Sequence, residues 1–130
     1  MLEETAARYY REGNYNCAEA VLRGANEAYR LGLAEETLRA VGGFGGGLGC
    51  GLTCGALCGA MAALSCMRMH EKAHETPGFR RASGDLARFF QRELGGSGCA
   101  ELKAKYHSSE TRCEETVRRA ARVFEAFLNK

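Results

Sequence analysis

Along most of the chain, apolar residues return every three or four positions, the spacing that lines one face of an α-helix. Leu2, Ala6, Tyr9 and Tyr10 set one face of a first helix over Leu2 to Arg11, which Gly13-Asn14 closes. A second opens after Asn16, a favoured N-cap, and runs through Cys17, Ala20, Val21, Ala25 and Ala28 until Gly32 breaks it. Ala34 to Val41 predicts a short third helix. A long fourth is expected from about Gly51 to His74, stopped by Pro77-Gly78. Phe79, Ala82, Leu86, Phe89, Phe90 and Leu94 mark a fifth that ends at Gly95-Gly96. Cys99 to Tyr106, introduced by Ser97, is a shorter sixth. Thr111-Arg112-Cys113-Glu114 reads as a Thr-x-x-Glu capping box opening a seventh through Val117, Ala120, Ala121, Phe124 and Phe127. No stretch alternates as a strand does, and Ile is absent. The expectation is an all-α, single-domain bundle of five to seven helices over residues 1–130, built around the central Gly/Cys-rich helix.

Composition sharpens this picture at one place. Between Arg39 and Arg68 lie 28 residues without a charge, holding nine of the 17 glycines and four of the seven cysteines. That length would span a bilayer, but the glycines, Thr53 and Ser65 dilute its hydrophobicity, so a buried central helix is expected and no membrane span. Gly47, Gly51, Gly55, Gly59 and Ala63 fall at every fourth position. Such a row admits a close neighbour, either a helix of the same chain or a second copy in a homodimer. The glycine stretch contains no G-x-G-x-x-G and no Gly-Lys-Ser/Thr, so it is no nucleotide loop. Eighteen basic against sixteen acidic residues, with no run of five like charges, leave no footprint for nucleic acid.

The candidate chemistry is cysteine chemistry. The opening residues Met1-Leu2-Glu3-Glu4-Thr5 carry no signal-peptide pattern, so a cytoplasmic location is expected, where dense cysteines serve metal binding or redox work. No C-x-x-C occurs, which removes zinc knuckles, bacterial ferredoxin runs and the C-x-x-C-H site of covalent haem. Cys17, Cys54, Cys99 and Cys113 each stand where a predicted helix begins, and the free N–H groups there favour a thiolate. Cys50 lies one turn before Cys54. Cys58 and Cys66, deeper in the fourth helix, read as core filler. A competing signal is His70-Glu71-Lys72-Ala73-His74, which fits H-E-x-x-H, with Glu93 as a distant carboxylate; a solvated helix end is the preferred reading, given its position at the charged end of a helix just before Pro77.

At these residues the chain resembles a known group. Cys54-Gly55-Ala56-Leu57-Cys58-Gly59 has the Cys-Gly-Ala-x-x-Gly form of the redox-active four-cysteine family named C_GCAxxG_C_C. Tyr15-Asn16-Cys17-Ala18-Glu19-Ala20-Val21 is similar to its first cysteine segment, Gly43-Phe44-Gly45-Gly46-Gly47 to its glycine loop, and Cys99 and Cys113 to its last two cysteines. The resemblance implies a small helical protein, related to part of the split-Soret cytochrome c, with Cys17, Cys54, Cys99 and Cys113 as the working residues and Cys50, Cys58 and Cys66 additional to them. The expected function is therefore redox work with an unidentified partner protein, the four thiols converging on one site with Cys50 and the glycine loop in support. Two chemistries stay open, thiol–disulfide exchange and electron transfer by an iron–sulfur cluster. Alternatives from other classes are a docking module held by structural zinc on the same cysteines and a zinc hydrolase on His70 and His74.

Overall fold

The computed structural model describes all of Met1–Lys130. Seven α-helices account for its architecture: α1 (Leu2–Gly13), α2 (Cys17–Ala28), α3 (Glu35–Arg39), α4 (Gly55–Arg68), α5 (Phe79–Leu94), α6 (Cys99–Tyr106) and α7 (Glu114–Leu128). No strand forms; Thr53 with Gly98 and Ser108 with Arg112 make isolated antiparallel bridges. No helix is long and apolar enough to cross a membrane.

Each helix begins and ends for local reasons. Asn16 caps α2: its Oδ1 accepts the Glu19 N–H at 3.0 Å while the Glu19 carboxylate accepts the Asn16 N–H at 3.0 Å. Asn14 closes α1 in the left-handed conformation, φ 60°, as a short polar side chain allows. Once formed, the helices bury their apolar faces together. Phe90 and Phe124 are fully buried with Leu2, Leu22, Leu64, Leu86 and Val117. α4 is enclosed by α2, α5 and α7, while α1 packs on α2 and α7. A helix so surrounded must be free of charge over its whole circumference, which is what the uncharged centre of the sequence supplies.

Three expectations are corrected. The fourth helix is shorter at both ends than Gly51–His74. Before Gly55, Gly47, Leu48, Gly49 and Gly51 all take positive φ, so residues 47–51 form a wide left-handed turn instead of extending the helix. The small-residue row therefore begins at Gly55, not Gly47, and its close neighbour is internal: a Cβ at Gly59 would strike the Ala18 carbonyl of α2. After Arg68 the helix ends at Met69, and the Thr76 hydroxyl accepts the His70 N–H at 3.0 Å and donates to the Lys72 carbonyl at 2.8 Å, folding 70–76 into a loop. The capping box at Thr111 does not form. Arg112 sits at φ 55°, outside the helical region, so α7 starts at Glu114 with Cys113 as its N-cap.

Candidate functional site

Three of the four helix-start cysteines, Cys17, Cys54 and Cys99, are brought together by three pieces of backbone. Residues 52–54 lie antiparallel to 97–99, with the Cys54 N–H donating to the Ser97 carbonyl at 2.8 Å and the Cys99 N–H to the Leu52 carbonyl at 2.6 Å. This brings the starts of α4 and α6 side by side across some 45 residues of sequence. The glycine loop then folds over the start of α2, where Asn16 Nδ2 donates to the Gly42 carbonyl at 3.0 Å and the Gly46 N–H donates to Cys17 Sγ. Gly47 makes the closure feasible. Its φ is +65°, and a Cβ there would lie 2.6 Å from both the Cys99 Cβ and the Leu52 nitrogen. On the α4 side, a Cβ at Gly55 would lie 2.6 Å from Cys17 Sγ, so the glycine of the Cys-Gly-Ala segment is the space the sulfur occupies.

The result is an open pocket of about 360 Å³ into which Cys17, Cys99 and Cys113 face. Cys54 is buried behind it, within electrostatic reach of Cys17 and Cys99. Cys58 is half-buried rather than core filler and lies within electrostatic reach of Cys17. Cys66 is exposed rather than core filler, about 12 Å further along the α4 axis from Cys58 at 1.5 Å per residue. Cys50 is exposed on the left-handed turn and does not line the pocket.

Tyr10, Lys103 of α6 and His107 just after that helix complete the wall. The Tyr10 hydroxyl accepts the Cys113 N–H at 3.0 Å, which satisfies an otherwise free donor at the start of α7. The Arg112 guanidinium lies 4.9 Å from the centre of the Tyr10 ring, and Lys103 and His107 stand on the same rim. A one-turn-apart spacing on α6 links Cys99 to Lys103, the only hint the sequence carried.

Electrostatically the thiols do not behave as their helix-start positions predict. Burial pushes the Cys17 thiol above its ordinary value, opposed by the Gly46 hydrogen bond. The same cause takes Cys54 up to about 12, against the N–H groups of Leu57 and Ala56. Cys113 is also raised, first by burial and then by Cys17, while the Lys103 ammonium and the Tyr10 hydroxyl pull the other way. Loss of water outweighs the helix terminus at each of these sites.

The metal readings can be tested on the same geometry. No three His, Cys, Asp or Glu side chains are placed so that they could hold one metal ion, which does not fit a four-thiolate cluster or a structural zinc. His70, Glu71 and His74 are exposed, and only His74 belongs to a helical turn, the single 3₁₀ turn Ala73–Glu75. Two imidazoles one turn apart on a helix, the premise of H-E-x-x-H, are therefore absent.

Fold and pocket together define an all-α protein with thiols collected at helix starts. The chain matches the family described as Putative redox-active protein (C_GCAxxG_C_C) over residues 15–127, and it belongs to that family. A redox role in this general sense comes with the membership. No curated protein and no solved structure matches the chain.

Proposed function

We propose that the protein carries out thiol–disulfide exchange, with Cys113 as the attacking thiol and Cys17 as the resolving one. The observation that carries this reading is the opening of three thiols, Cys17, Cys99 and Cys113, onto one pocket large enough for a small molecule or a peptide segment. Cys113 is the attacking residue because it is half-buried rather than sealed and has a cation and a hydroxyl at hand to favour its thiolate. Cys17 is the resolving residue because it lines the same pocket and, unlike the buried Cys99, is only half-buried.

In the forward direction the Cys113 thiolate attacks one sulfur of a substrate disulfide. A new S–S bond joins Cys113 to one half of the substrate, and the old S–S bond breaks to release the other half as a thiolate, which takes up a proton. The Cys17 thiol loses its proton and attacks Cys113 Sγ, forming the Cys17–Cys113 disulfide and releasing the second half. Two electrons pass from protein to substrate; the substrate disulfide is reduced and the protein pair oxidised. Free thiols poised in this way belong in a reducing compartment, which supports a cytoplasmic location.

Limited oxidation of the reduced protein with one equivalent of diamide, followed by peptide mapping, tests the reading. The expected product is a Cys17–Cys113 bridge with Cys66 still free. A protein purified without oxygen that carries stoichiometric iron and sulfide, or zinc, on these cysteines would replace it with a metal-based function.

A further inference from the structure

The pocket carries a charge pattern that the exchange reaction alone does not require. Lys103, His107 and Arg112 line it beside Cys17, Cys99 and Cys113, and none of its lining residues is an Asp or Glu. None of these three side chains is engaged in an ion pair anywhere in the chain. Arg112 is held in place by its left-handed backbone, φ 55°, and by the Tyr10 ring beneath its guanidinium. A cationic rim whose charges are not spent within the protein, standing over nucleophilic sulfurs in a cavity of about 360 Å³, is complementary to a molecule that combines a sulfur with negative charge.

We propose that the substrate is a small anionic disulfide whose carboxylates are bound by Lys103 and Arg112 while its sulfur meets Cys113. Arg112 offers a planar fork of donors that suits a carboxylate; Lys103 contributes a compact charge from α6. The proposal rests on the exchange reading above and adds the class of molecule exchanged. The step is unchanged: the substrate S–S bond breaks, a mixed disulfide to Cys113 forms, and Cys17 displaces the second half as a thiolate.

Stopped-flow kinetics of the reduced full chain with three disulfides of different charge test this: dithiobis(nitrobenzoate), which is anionic, neutral dithiodipyridine, and cationic cystamine. Each rate is divided by that of mercaptoethanol with the same disulfide, which removes intrinsic reactivity. The wild type is expected to favour the anionic probe over the cationic one by about tenfold or more at low salt, and the preference should shrink as salt rises. Lys103→Gln with Arg112→Gln should lower the ratio of anionic to neutral rates about tenfold. Because that is a ratio, any change in the thiolate fraction of Cys113 cancels. A ratio unmoved by the double variant, or a wild type indifferent to charge, overturns the substrate proposal while rapid reaction with the neutral probe leaves exchange standing. Failure of all three probes to generate a Cys17–Cys113 bridge overturns the exchange reading itself.

Discussion

Two neighbouring regions of the molecule use arginine in opposite ways. Along the seam between α1 and α7, Arg118 meets Glu4 at 2.8 Å, Glu114 at 3.0 Å and Glu3 at 3.2 Å, while Arg122 also reaches Glu3 at 2.8 Å and Arg11 reaches Glu114 at 3.0 Å. Every cation there is matched by a carboxylate of the other helix or of its own. At the thiol pocket, Arg112 and Lys103 have no carboxylate at all. Paired charges fix the relation of two helices and leave nothing for a ligand. Unpaired charges beside a cavity contribute little to folding but keep their field for whatever enters. The contrast extends to how each region is held together. Side-chain charge decorates the seam, whereas the pocket depends on backbones passing so close that only glycine fits.

The strongest way to break the pocket region should then be a side chain added where two backbones meet. Gly59→Val pushes into the Ala18 carbonyl of α2, neither of which can yield without moving a helix. Overpacking of this kind costs about 1 to 3 kcal/mol or more, and thermal melting should show the lowest midpoint of the variants considered. An unchanged midpoint would mean that α2 and α4 do not approach as closely as the pocket requires.

Alkaline pH should be the next largest effect, and it separates the two regions because only the pocket contains buried thiols. Cys54 is raised from 9.0 to about 12 in the folded chain. Between those values the unfolded chain has lost the proton that the native state keeps, so stability is fully present below about pH 9 and falls as pH rises toward 12. Urea unfolding at pH 7, 9 and 10.5 should show a declining midpoint, and Cys54→Ala, compared with itself across the series, should decline less. An equal slope in both proteins would remove Cys54 as the cause.

The seam should respond more mildly. Arg118→Ala removes three contacts, yet Glu114 keeps Arg11 and Glu3 keeps Arg122, and partly exposed pairs contribute on the order of 1 kcal/mol or less. A loss of that size in urea unfolding, shrinking with added salt, is expected. A loss as large as that of Gly59→Val would show that the charge network, not backbone proximity, dominates the fold.

The smallest effect belongs to the pair of histidines outside both regions. His70→Ala with His74→Ala should change stability by no more than about 0.5 kcal/mol and leave thiol exchange rates unaltered, since both side chains are exposed. Altered exchange would tie the 70–76 loop to the pocket.

Much of this was legible in the residues alone, because helix formation is a local matter. The period of Phe79, Ala82, Leu86, Phe90 and Leu94 specifies α5 to the residue, and Asn16-Cys17-Ala18-Glu19 carries the whole of its capping box. The placement of Cys17, Cys54, Cys99 and Cys113 at helix starts, and the likeness to a redox family, followed from the same short-range patterns. Where local rules failed, a conformation outside the helical region intervened. Arg112 at φ 55° displaced the capping box at Thr111, and the left-handed glycines from 47 to 51 delayed the fourth helix from the expected Gly51 to Gly55.

What only the tertiary structure decided is which groups share the pocket and in what charge state. Tyr10 and Cys113 are 103 residues apart and meet through one hydrogen bond; Leu52 and Cys99 meet through another. No periodicity encodes such pairings, since they arise from the packing of whole helices. Thiol ionisation shows the difference most clearly. A helix start favours the thiolate by a field that sequence position specifies, but burial removes water on a scale set by every neighbouring element, and at Cys17, Cys54 and Cys113 burial prevails.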